Sequence, residues 1–460
     1  MRKMLFALAA VAAGLAAAEP FADGERVVWL GDSITQIGSF GHPVRTFYWT
    51  RYPDRRIAFF NSGIGGDRAS GGLWRYGTDV KPFGPTSLVV MFGMNDVNPF
   101  DYQAPEKRDA DYAARIAKMA DGVFVGYTND MTRLYARFRA DFPRAEFYWC
   151  VPSAYDETAV LAKEWHGNHP GANDALGRLG RWIRRQCFRD GGTLVDFHET
   201  MTDQMTGCQA GNPSYSLLSP DRVHPSNMGS AFMGYVFLKA QGVNPWVCDV
   251  EIDAAKGAVA RCAHAAARDV VKTEKGVSFQ LKESVLPWPL PRWGGERIRE
   301  TLAVDRALNR EIVAVTGLPE GDYELKIDGK PCGTWSSGEW AAGINFAGVK
   351  KTPMYAQAQK VREVSDEYGE LEAKTFVSYN STRLYFHNTK LCDFDDYEAF
   401  KAYYEKNMKG QKGWHNDWAG EALACYGKLD EARAKLDALR EKARDLCRTT
   451  AHAWTIERTK

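Results

Sequence analysis

The sequence predicts an α/β protein in which helices cover both faces of a parallel sheet, followed by a small β-rich domain and a helical C-terminal region. The first observation is a series of short apolar runs separated by helix-length mixed segments, at residues 27–30, 57–60, 88–92, 147–151 and 194–197. Such alternation is typical of parallel strands that are buried on both faces and joined by helices. The second observation is that this alternation ends after Trp246, where a different pattern begins.

The length of the chain also predicts more than one domain. At 460 residues it exceeds what a single hydrophobic core usually spans. The predicted divisions are an N-terminal signal, the α/β domain, the β-rich domain and the helical region, at residues 1–18, 19–249, 250–350 and 351–460.

The N-terminal residues have the pattern of a cleavable export signal. Arg2 and Lys3 are followed by an apolar stretch, residues 4–15, that is too short to span a bilayer. Ala16-Ala17-Ala18 then supplies a small-residue cleavage site, so the mature chain is predicted to begin at Glu19. No later apolar run is long enough for a membrane helix. We therefore expect a secreted or periplasmic protein without membrane insertion.

The charge of the chain gives no sign of a polyanionic partner. Lys and Arg number 59 and Asp and Glu number 58, with no long run of one sign. A surface that binds nucleic acid or anionic lipid usually has a basic patch. We therefore expect neither partner.

Nine cysteines remain in the predicted exported chain: Cys150, Cys187, Cys208, Cys248, Cys262, Cys332, Cys392, Cys425 and Cys447. An oxidising compartment permits disulfides, but an odd number leaves at least one thiol unpaired. Cys150 is the candidate because it ends an apolar run, and free cysteine behaves as a small core residue. No C-x-x-C pair occurs, and His166-x-x-His169 has no cysteine nearby, so no metal site is predicted.

Polar residues that could perform chemistry follow three successive predicted strands. They are Gly31-Asp32-Ser33, then the loop from Asn61 to Asp67 with Gly63, Gly65 and Gly66, then Gly93-Met94-Asn95-Asp96. A fourth group, Asp221-Arg222-Val223-His224-Pro225, follows the fifth strand. In sheets of this type ligands bind beyond the carboxyl ends of the strands. Acyl transfer needs these residue types: a nucleophile, a base, a carboxylate that orients the base, and N–H donors for the oxyanion.

Each group also has a structural alternative. Ser33 could cap the helix that follows, and Asn95 could be an ordinary turn residue. The glycines could make a tight turn or a phosphate loop, although neither G-x-G-x-x-G nor a Walker lysine is present. His224 could be a surface histidine before a helix that starts near a proline. Four such features in order at one sheet edge favour the catalytic interpretation.

Together these blocks resemble the four signature blocks of the SGNH, or GDSL-type, hydrolases over about residues 25–245. The resemblance implies a flavodoxin-like three-layer α/β sheet. No metal or organic cofactor is expected, because Ser, His, Asp and N–H donors already supply the nucleophile, the base and the stabilisation of charge. The resemblance implies that Ser33 is the nucleophile, His224 the general base and Asp221 its orienting carboxylate. It also implies an oxyanion hole made by the backbone N–H groups of Ser33 and Gly66 and by the Asn95 side chain. The serine is not on a G-x-S-x-G elbow, which disfavours the α/β-hydrolase fold.

Two segments depart from the simplest members of this family, at residues 100–128 and 156–173. Both leave strand carboxyl ends, and both combine rings with polar groups, namely Tyr102, Tyr112, Trp165, His166 and His169. Sugar sites often have this combination, whereas a lipase channel needs a longer aliphatic run.

The expected function is therefore an exported serine esterase acting on short-chain, chiefly acetyl, esters of a small molecule or polysaccharide. The alternatives are a lipase or lysophospholipase, an acyltransferase with the same triad, and a non-catalytic carbohydrate-binding protein. The particular residues that bind the substrate are not predicted.

The second half predicts strands at residues 279–282, 312–315 and 323–327, with an Asp328-Gly329 hairpin turn before residues 333–335. The proline-rich residues 286–293 cannot form a central strand and are expected to cross a surface. Further on, Leu429, Leu436, Leu439 and Leu446 form one apolar stripe on a charged helix. We expect this helix to close onto the rest of the chain, with a dimer contact as the alternative. The oligomeric state is left open, and a monomer fits.

Overall fold

The computed structural model describes residues 19–291 and 295–459. The predicted export signal, residues 1–18, lies outside the described residues.

The first half contains the predicted parallel sheet. Its five strands are β1 Arg26–Gly31, β2 Ala58–Gly63, β3 Ser87–Met91, β4 Glu146–Val151 and β5 Thr193–Asp196. They lie in the order β2-β1-β3-β4-β5, and every neighbouring pair is parallel. This is the flavodoxin-like order. All five residues of β3 are buried, as a central strand covered on both faces must be. The predicted fold class is confirmed.

Helices connect these strands and cover the sheet. Their bounds are α1 Ser33–Gln36, α2 Gly41–Arg51, α3 Ala69–Asp79, α4 Met94–Val97, α5 Tyr112–Asp141, α6 Ala172–Asp190, α7 Phe197–Gln209 and α8 Asn227–Ala240. Helix α2 packs with α8, while α5 packs with both α3 and α6.

Two further sheets form the β-rich part. Their strands are β6 Trp246–Asp253, β7 Ala258–Ala263, β8 Ala265–Thr273, β9 Gly276–Glu283, β10 Arg310–Thr316, β11 Asp322–Ile327, β12 Lys330–Ser336, β13 Ile344–Asn345 and β14 His452–Arg458. One sheet has the order β13-β10-β6-β7, and the other has the order β12-β11-β14-β9-β8. The predicted hairpin joins β11 to β12, with positive φ angles at Asp328 and Gly329. Three short helices lie among these strands, α9 Gly295–Leu302, α10 Val304–Leu308 and α11 Ser337–Ala342.

Strand β14 differs from the sequence-based expectation, which placed its residues in the helical region. It pairs with β9 on one side and with β11 on the other. Trp454 and Ile456 are buried between exposed or half-buried neighbours, which is the alternation of a strand. The β-rich part is therefore completed by residues from the far side of the helical region.

The rest of the C-terminal region is helical, as predicted. Its helices are α12 Pro353–Glu372, α13 Ser378–Thr389, α14 Tyr397–Asn407, α15 Trp414–Cys425 and α16 Leu429–Leu446. Leu436 and Leu439 of the predicted stripe are buried, and α16 packs on α12. The helix therefore closes onto the rest of the chain, and the dimer alternative is not needed to bury its apolar face.

Residues 286–291 of the proline-rich segment form no strand, as predicted, but they are more deeply buried than the sequence predicted, and residues 292 and 293 lie outside the described residues. Residues 286–290 are all buried, and Trp288 Nε1 donates a hydrogen bond to the Pro43 carbonyl oxygen at 3.1 Å. The ring of Trp288 packs edge-on against Phe47. The segment packs as an internal layer against α2. This placement removes its apolar side chains from water, which a path across the surface would not do.

Buried polar contacts join the helical region to the α/β domain. The Arg45 guanidinium on α2 donates to the Ser365 carbonyl oxygen at 2.6 Å and lies 3.7 Å from the Glu372 carboxylate. Glu372 in turn accepts a hydrogen bond from the Asn61 backbone N–H at 3.1 Å. Helix α12 therefore holds the end of β2, from which one of the predicted site loops begins.

All nine cysteines lie within the described residues, and none of them forms a disulfide there. Cys150 is buried on β4, as a core cysteine would be, and its assignment as the unpaired thiol stays a prediction. In the described part of the chain, no helix is both long enough and apolar enough to cross a membrane.

Candidate active site

Ser33 begins helix α1 directly beyond the carboxyl end of β1. Asp32 caps this helix, since its Oδ1 accepts a hydrogen bond from the Ile34 N–H at 3.0 Å. A Cβ atom at position 31 would lie 2.2 Å from Thr35 Oγ1 and 2.5 Å from the Met91 carbonyl oxygen, so only glycine allows the chain to turn here. Burial raises the pKa of the Asp32 carboxyl to about 7. The turn leaves the serine hydroxyl at the edge of the sheet.

A continuous line of hydrogen bonds runs from Ser33 through His224 to Asp221. His224 Nε2 lies 2.8 Å from Ser33 Oγ, and His224 Nδ1 lies 2.6 Å from Asp221 Oδ2. A carboxylate only accepts, so Nδ1 carries the ring proton and Nε2 is left to accept from the serine hydroxyl. This is the tautomer that a general base requires.

The loop before α8 fixes the carboxylate in place. The second oxygen of Asp221 accepts hydrogen bonds from the backbone N–H groups of Val223 and His224, both at 3.0 Å. Arg222, between Asp221 and Val223, has a φ of 64°, and its guanidinium donates to the Asp156 carbonyl oxygen at 2.7 Å. A spacing of three residues therefore brings the imidazole and the carboxylate together on one turn.

The two partners shift each other's pKa in opposite directions. Burial acts to raise the pKa of Asp221, but the hydrogen bonds from His224 and the backbone outweigh it, so the pKa is lowered. Burial likewise acts to lower the pKa of His224, but the hydrogen bond and charge of Asp221 outweigh it and the pKa is raised above 6.5. The arrangement stabilises the imidazolium that forms when the base takes a proton.

Two of the predicted N–H donors lie close together, Gly66 on the loop between β2 and α3 and Asn95 in the short helix α4. Gly66 has a φ of 76°, and nothing lies within 4 Å of where its Cβ would be, so there is open space on that side of the residue. Asn95 Nδ2 donates a hydrogen bond at 3.0 Å to the carbonyl oxygen of Asp67, the residue that follows Gly66. The amide carries a second N–H, so one proton of Asn95 anchors the glycine loop while the other is left for a ligand.

A buried arginine that sequence reasoning missed supports these loops. Arg75 on α3 donates to Asp67 Oδ2 at 2.7 Å and to Asp79 Oδ2 at 3.1 Å. It also donates to the carbonyl oxygens of Gly31 at 3.0 Å and Ser62 at 2.6 Å, near the carboxyl ends of β1 and β2. An arginine within a helix carries no signature of such a role in the sequence.

The two inserted segments meet each other. Residues 100–128 form short turns and the first half of α5, while residues 156–171 contain no helix or strand. Phe100 packs edge-on against His166 and His169, with ring centroids 5.3 and 5.2 Å apart. Of the rings named from the sequence, Tyr102 and Tyr112 are buried, whereas Trp165 is 56% exposed. Only part of the predicted aromatic surface is therefore open to a ligand.

Within residues 19–291 and 295–459, no group of three or more His, Cys, Asp or Glu side chains is placed to hold a metal ion. The prediction that no metal or cofactor takes part stays a prediction.

Comparisons with known proteins give a family match and a structural similarity over nearly the whole chain. Residues 29–232 match the GDSL-like lipase/acylhydrolase family. The solved structure of BT4096, a gut microbial diltiazem-metabolizing enzyme, is 28% identical in sequence, with a TM-score of 0.84, covering 97% of this chain and 100% of that one. No curated protein has a matching sequence.

Two acetylxylan esterase structures resemble only about half of the chain. One is a catalytic mutant of Axe2 from Geobacillus stearothermophilus, 20% identical, with a TM-score of 0.35, covering 49% of this chain and 97% of that one. The other is AlAXEase, 20% identical, with a TM-score of 0.36, covering 47% of this chain and 98% of that one.

Proposed function

We propose that this carboxylic ester hydrolase, whose residues 29–232 belong to the GDSL-like lipase/acylhydrolase family, cleaves short-chain acyl esters through Ser33, His224 and Asp221. The observation that carries the proposal is the unbroken hydrogen-bonded line Ser33 Oγ, His224 Nε2, His224 Nδ1, Asp221 Oδ2.

The reaction follows from the order of these atoms. Ser33 Oγ attacks the ester carbonyl carbon while its proton passes to His224 Nε2. The tetrahedral intermediate collapses, and the alcohol leaves with that proton. Water then attacks the acyl-enzyme with His224 as base, which releases the acid and restores the serine. Asp221 holds the ring and stabilises its positive charge throughout.

The oxyanion of each tetrahedral intermediate is assigned to the backbone N–H groups of Ser33 and Gly66 and to the side chain of Asn95. Fixed donors are effective because they need no reorganisation when the charge develops. The open space beside Gly66 and the anchored Asn95 amide support this role.

We expect the substrate to be a short-chain ester of a polar ring-bearing alcohol, with acetylated carbohydrate as the first candidate. The inserted segments combine Phe100, Trp165 and two histidines and contain no long aliphatic run. The whole-chain similarity to a diltiazem-metabolizing enzyme supports including diltiazem among the test substrates.

Replacing the nucleophile tests the reaction. Ser33→Ala should lower kcat/KM for p-nitrophenyl acetate by at least about 10³-fold, because no other group can form the acyl-enzyme. The matched control is Ser214→Ala, an exposed serine outside the site, which should behave as wild type. Unchanged turnover in a folded Ser33→Ala protein would refute the proposal. A protein that binds glycan but is not labelled by a fluorophosphonate probe would favour the non-catalytic alternative.

A series of p-nitrophenyl esters tests the acyl group. We expect the highest kcat/KM at two to four carbons, followed by a decline. A preference for about eight carbons or more would favour the lipase alternative, since each methylene buried in a tunnel contributes about 0.8 kcal/mol. Analysis of products in the presence of free sugar separates hydrolysis from acyl transfer, which the same residues could perform.

Export is part of the same proposal. The basic, apolar and alanine segments of residues 1–18 support cleavage before Glu19. Mass spectrometry of the protein recovered from the periplasm or medium should find an N-terminus at Glu19. Recovery of the uncleaved chain from the cytoplasm would contradict it.

A further inference from the structure

The helical C-terminal region reaches the glycine loop of the proposed active site. Trp418 on α15 lies so close to Gly65 that a Cβ atom there would be 3.1 Å from Cη2 of the indole. Gly65 directly precedes Gly66, whose N–H we assign to the oxyanion hole. An indole ring supplied from the far end of the chain therefore lies beside the loop that would bind the carbonyl oxygen.

Trp418 belongs to a small aromatic cluster, Trp414, His415 and Trp418, which we call the aromatic wall. The ring centroids of Trp414 and Trp418 are 5.6 Å apart, and those of His415 and Trp418 are 5.5 Å apart. His415 also stacks on Tyr385 of α13 at 4.4 Å. Trp414 is 61% exposed, so part of the cluster is open to solvent. Burial lowers the pKa of His415, which favours the uncharged form of its ring.

Polar contacts fix this part of the helical region to the site. Gln36, one turn after Ser33, donates through Nε2 to Ser381 Oγ on α13 at 3.1 Å. Arg383 on the same helix forms an ion pair with Asp79, which also binds Arg75. Helix α13 packs in turn on α15, which carries the wall. The aromatic wall is therefore fixed, through α13, to the helix that carries Ser33 and to the residues that hold the glycine loop.

We propose that the aromatic wall holds a ring of the alcohol part of the ester, so that Trp418 and Trp414 determine specificity for ring-bearing substrates. This inference rests on the proposed function and narrows its substrate class. Indole faces pack well on the flat C–H faces of sugars and on aromatic rings, and an open wall suits the larger part of the ester. The short acyl group stays at Ser33, and the alcohol leaves along the wall once its bond to the acyl carbon has broken.

Kinetics with two acetate esters test the wall. Trp418→Ala should raise KM for p-nitrophenyl acetate by about 3- to 10-fold, the range of one aromatic contact, with kcat little changed. The same variant should change kcat/KM for ethyl acetate, which has no ring, by less than about 2-fold. Trp418→Phe should restore most of the loss, and Trp414→Ala should show a smaller effect of the same kind. The control is Trp246→Ala, which removes a ring that packs on Arg310 in the β-rich part.

A purely structural role for Trp418 gives a different result. If the indole only supports the glycine loop, Trp418→Ala will lower kcat by the same factor for p-nitrophenyl acetate and for ethyl acetate. Trp418→Phe will then also affect the two esters equally. That outcome overturns the proposal.

Inhibition by free alcohols measures binding at the wall without requiring the enzyme to cleave a ring-bearing ester. p-Nitrophenol and xylobiose should inhibit ethyl acetate hydrolysis competitively, and Trp418→Ala should raise the inhibition constant of at least one by about 3- to 10-fold. If neither inhibition constant changes, the proposed role of the aromatic wall is wrong, but the proposed esterase function is unaffected. If the wild-type protein cleaves neither ester, the proposed function itself fails.

Discussion

At the scale of single residues, the proposed chemistry depends on the protonation of His224. Only the neutral imidazole can take the serine proton, and Asp221 raises the pKa of the ring above 6.5. The same interaction that orients the base therefore also makes it easier to protonate. This moves the loss of activity to a higher pH than an isolated histidine would show.

We predict that kcat/KM for p-nitrophenyl acetate falls on acidification through a pKa above about 6.5, the value for an unperturbed histidine. In Asp221→Asn, kcat should fall by at least about 10²-fold, because the favoured tautomer and the stabilising charge are both lost. The pKa of His224 should also fall, so the residual activity should persist to lower pH than in wild type. A profile that is flat from pH 5 to 8 in wild type would contradict His224 as the base.

At the scale of elements, the glycine loop between β2 and α3 depends on close backbone contact with α1. A Cβ atom at position 63 would lie 2.2 Å from the backbone nitrogen of Gln36. Backbone atoms of a capped helix cannot move aside cheaply, so this position requires glycine. Ser33 lies at the other end of the same short helix, which links the packing of this loop to the position of the nucleophile.

Gly63→Ala should therefore destabilise the fold by about 1–3 kcal/mol and lower kcat, since the displaced helix carries Ser33. Gly126→Ala in α5 is the matched control, because nothing lies within 4 Å of the added methyl group. That variant should be about 0.5–1 kcal/mol more stable than wild type. Denaturant unfolding measures both values. A Gly63→Ala protein with wild-type stability and kcat would show that α1 tolerates the shift.

The sequence predicted the elements whose signal is local. Strand β3 is buried at every position and appears as an apolar run, and the Asp328-Gly329 turn has the required residues. Strand β7 is exposed at all six positions, so it has no apolar alternation to detect. The four motif blocks identified Ser33 and its partners, but Arg75 and Trp418 act through contacts between distant segments. No local pattern marks such contacts.

At the scale of the whole molecule, a buried acidic pair lies where the α/β domain meets the β-rich part. Glu283 at the end of β9 and Glu311 on β10 are both buried near Arg51 of α2. Burial raises the pKa of Glu283 to about 7 and raises that of Glu311 well above 4.5. A side-chain hydrogen bond joins the two carboxyl groups, and one of them can donate it only while it is protonated. At neutral pH the pair therefore retains a proton in the folded protein.

This pair should make stability depend on pH. The folded state binds more protons than the unfolded state above about pH 4.5, so stability should decline as the pH rises from there through about 7. Glu311→Gln removes one titrating group, so it should flatten this decline and raise Tm at pH 8 by roughly 2–4 °C. Exposed Glu431→Gln is the control and should leave the profile as in wild type. A lower Tm for Glu311→Gln at pH 8 would show that the charged form is needed.

The central place of β14 has a consequence for how the protein is made. A ribosome that has reached residue 451 has already supplied Ser33, His224, Asp221 and the aromatic wall, so the proposed catalytic machinery is present in the nascent chain. Strands β9 and β11, however, still lack the strand that pairs with both of them in the finished sheet. Until residues 452–458 emerge, both present unpaired edges of the kind that draw chains into aggregates. The nascent chain therefore needs protection from aggregation at the edges of β9 and β11 after its catalytic residues have been synthesised.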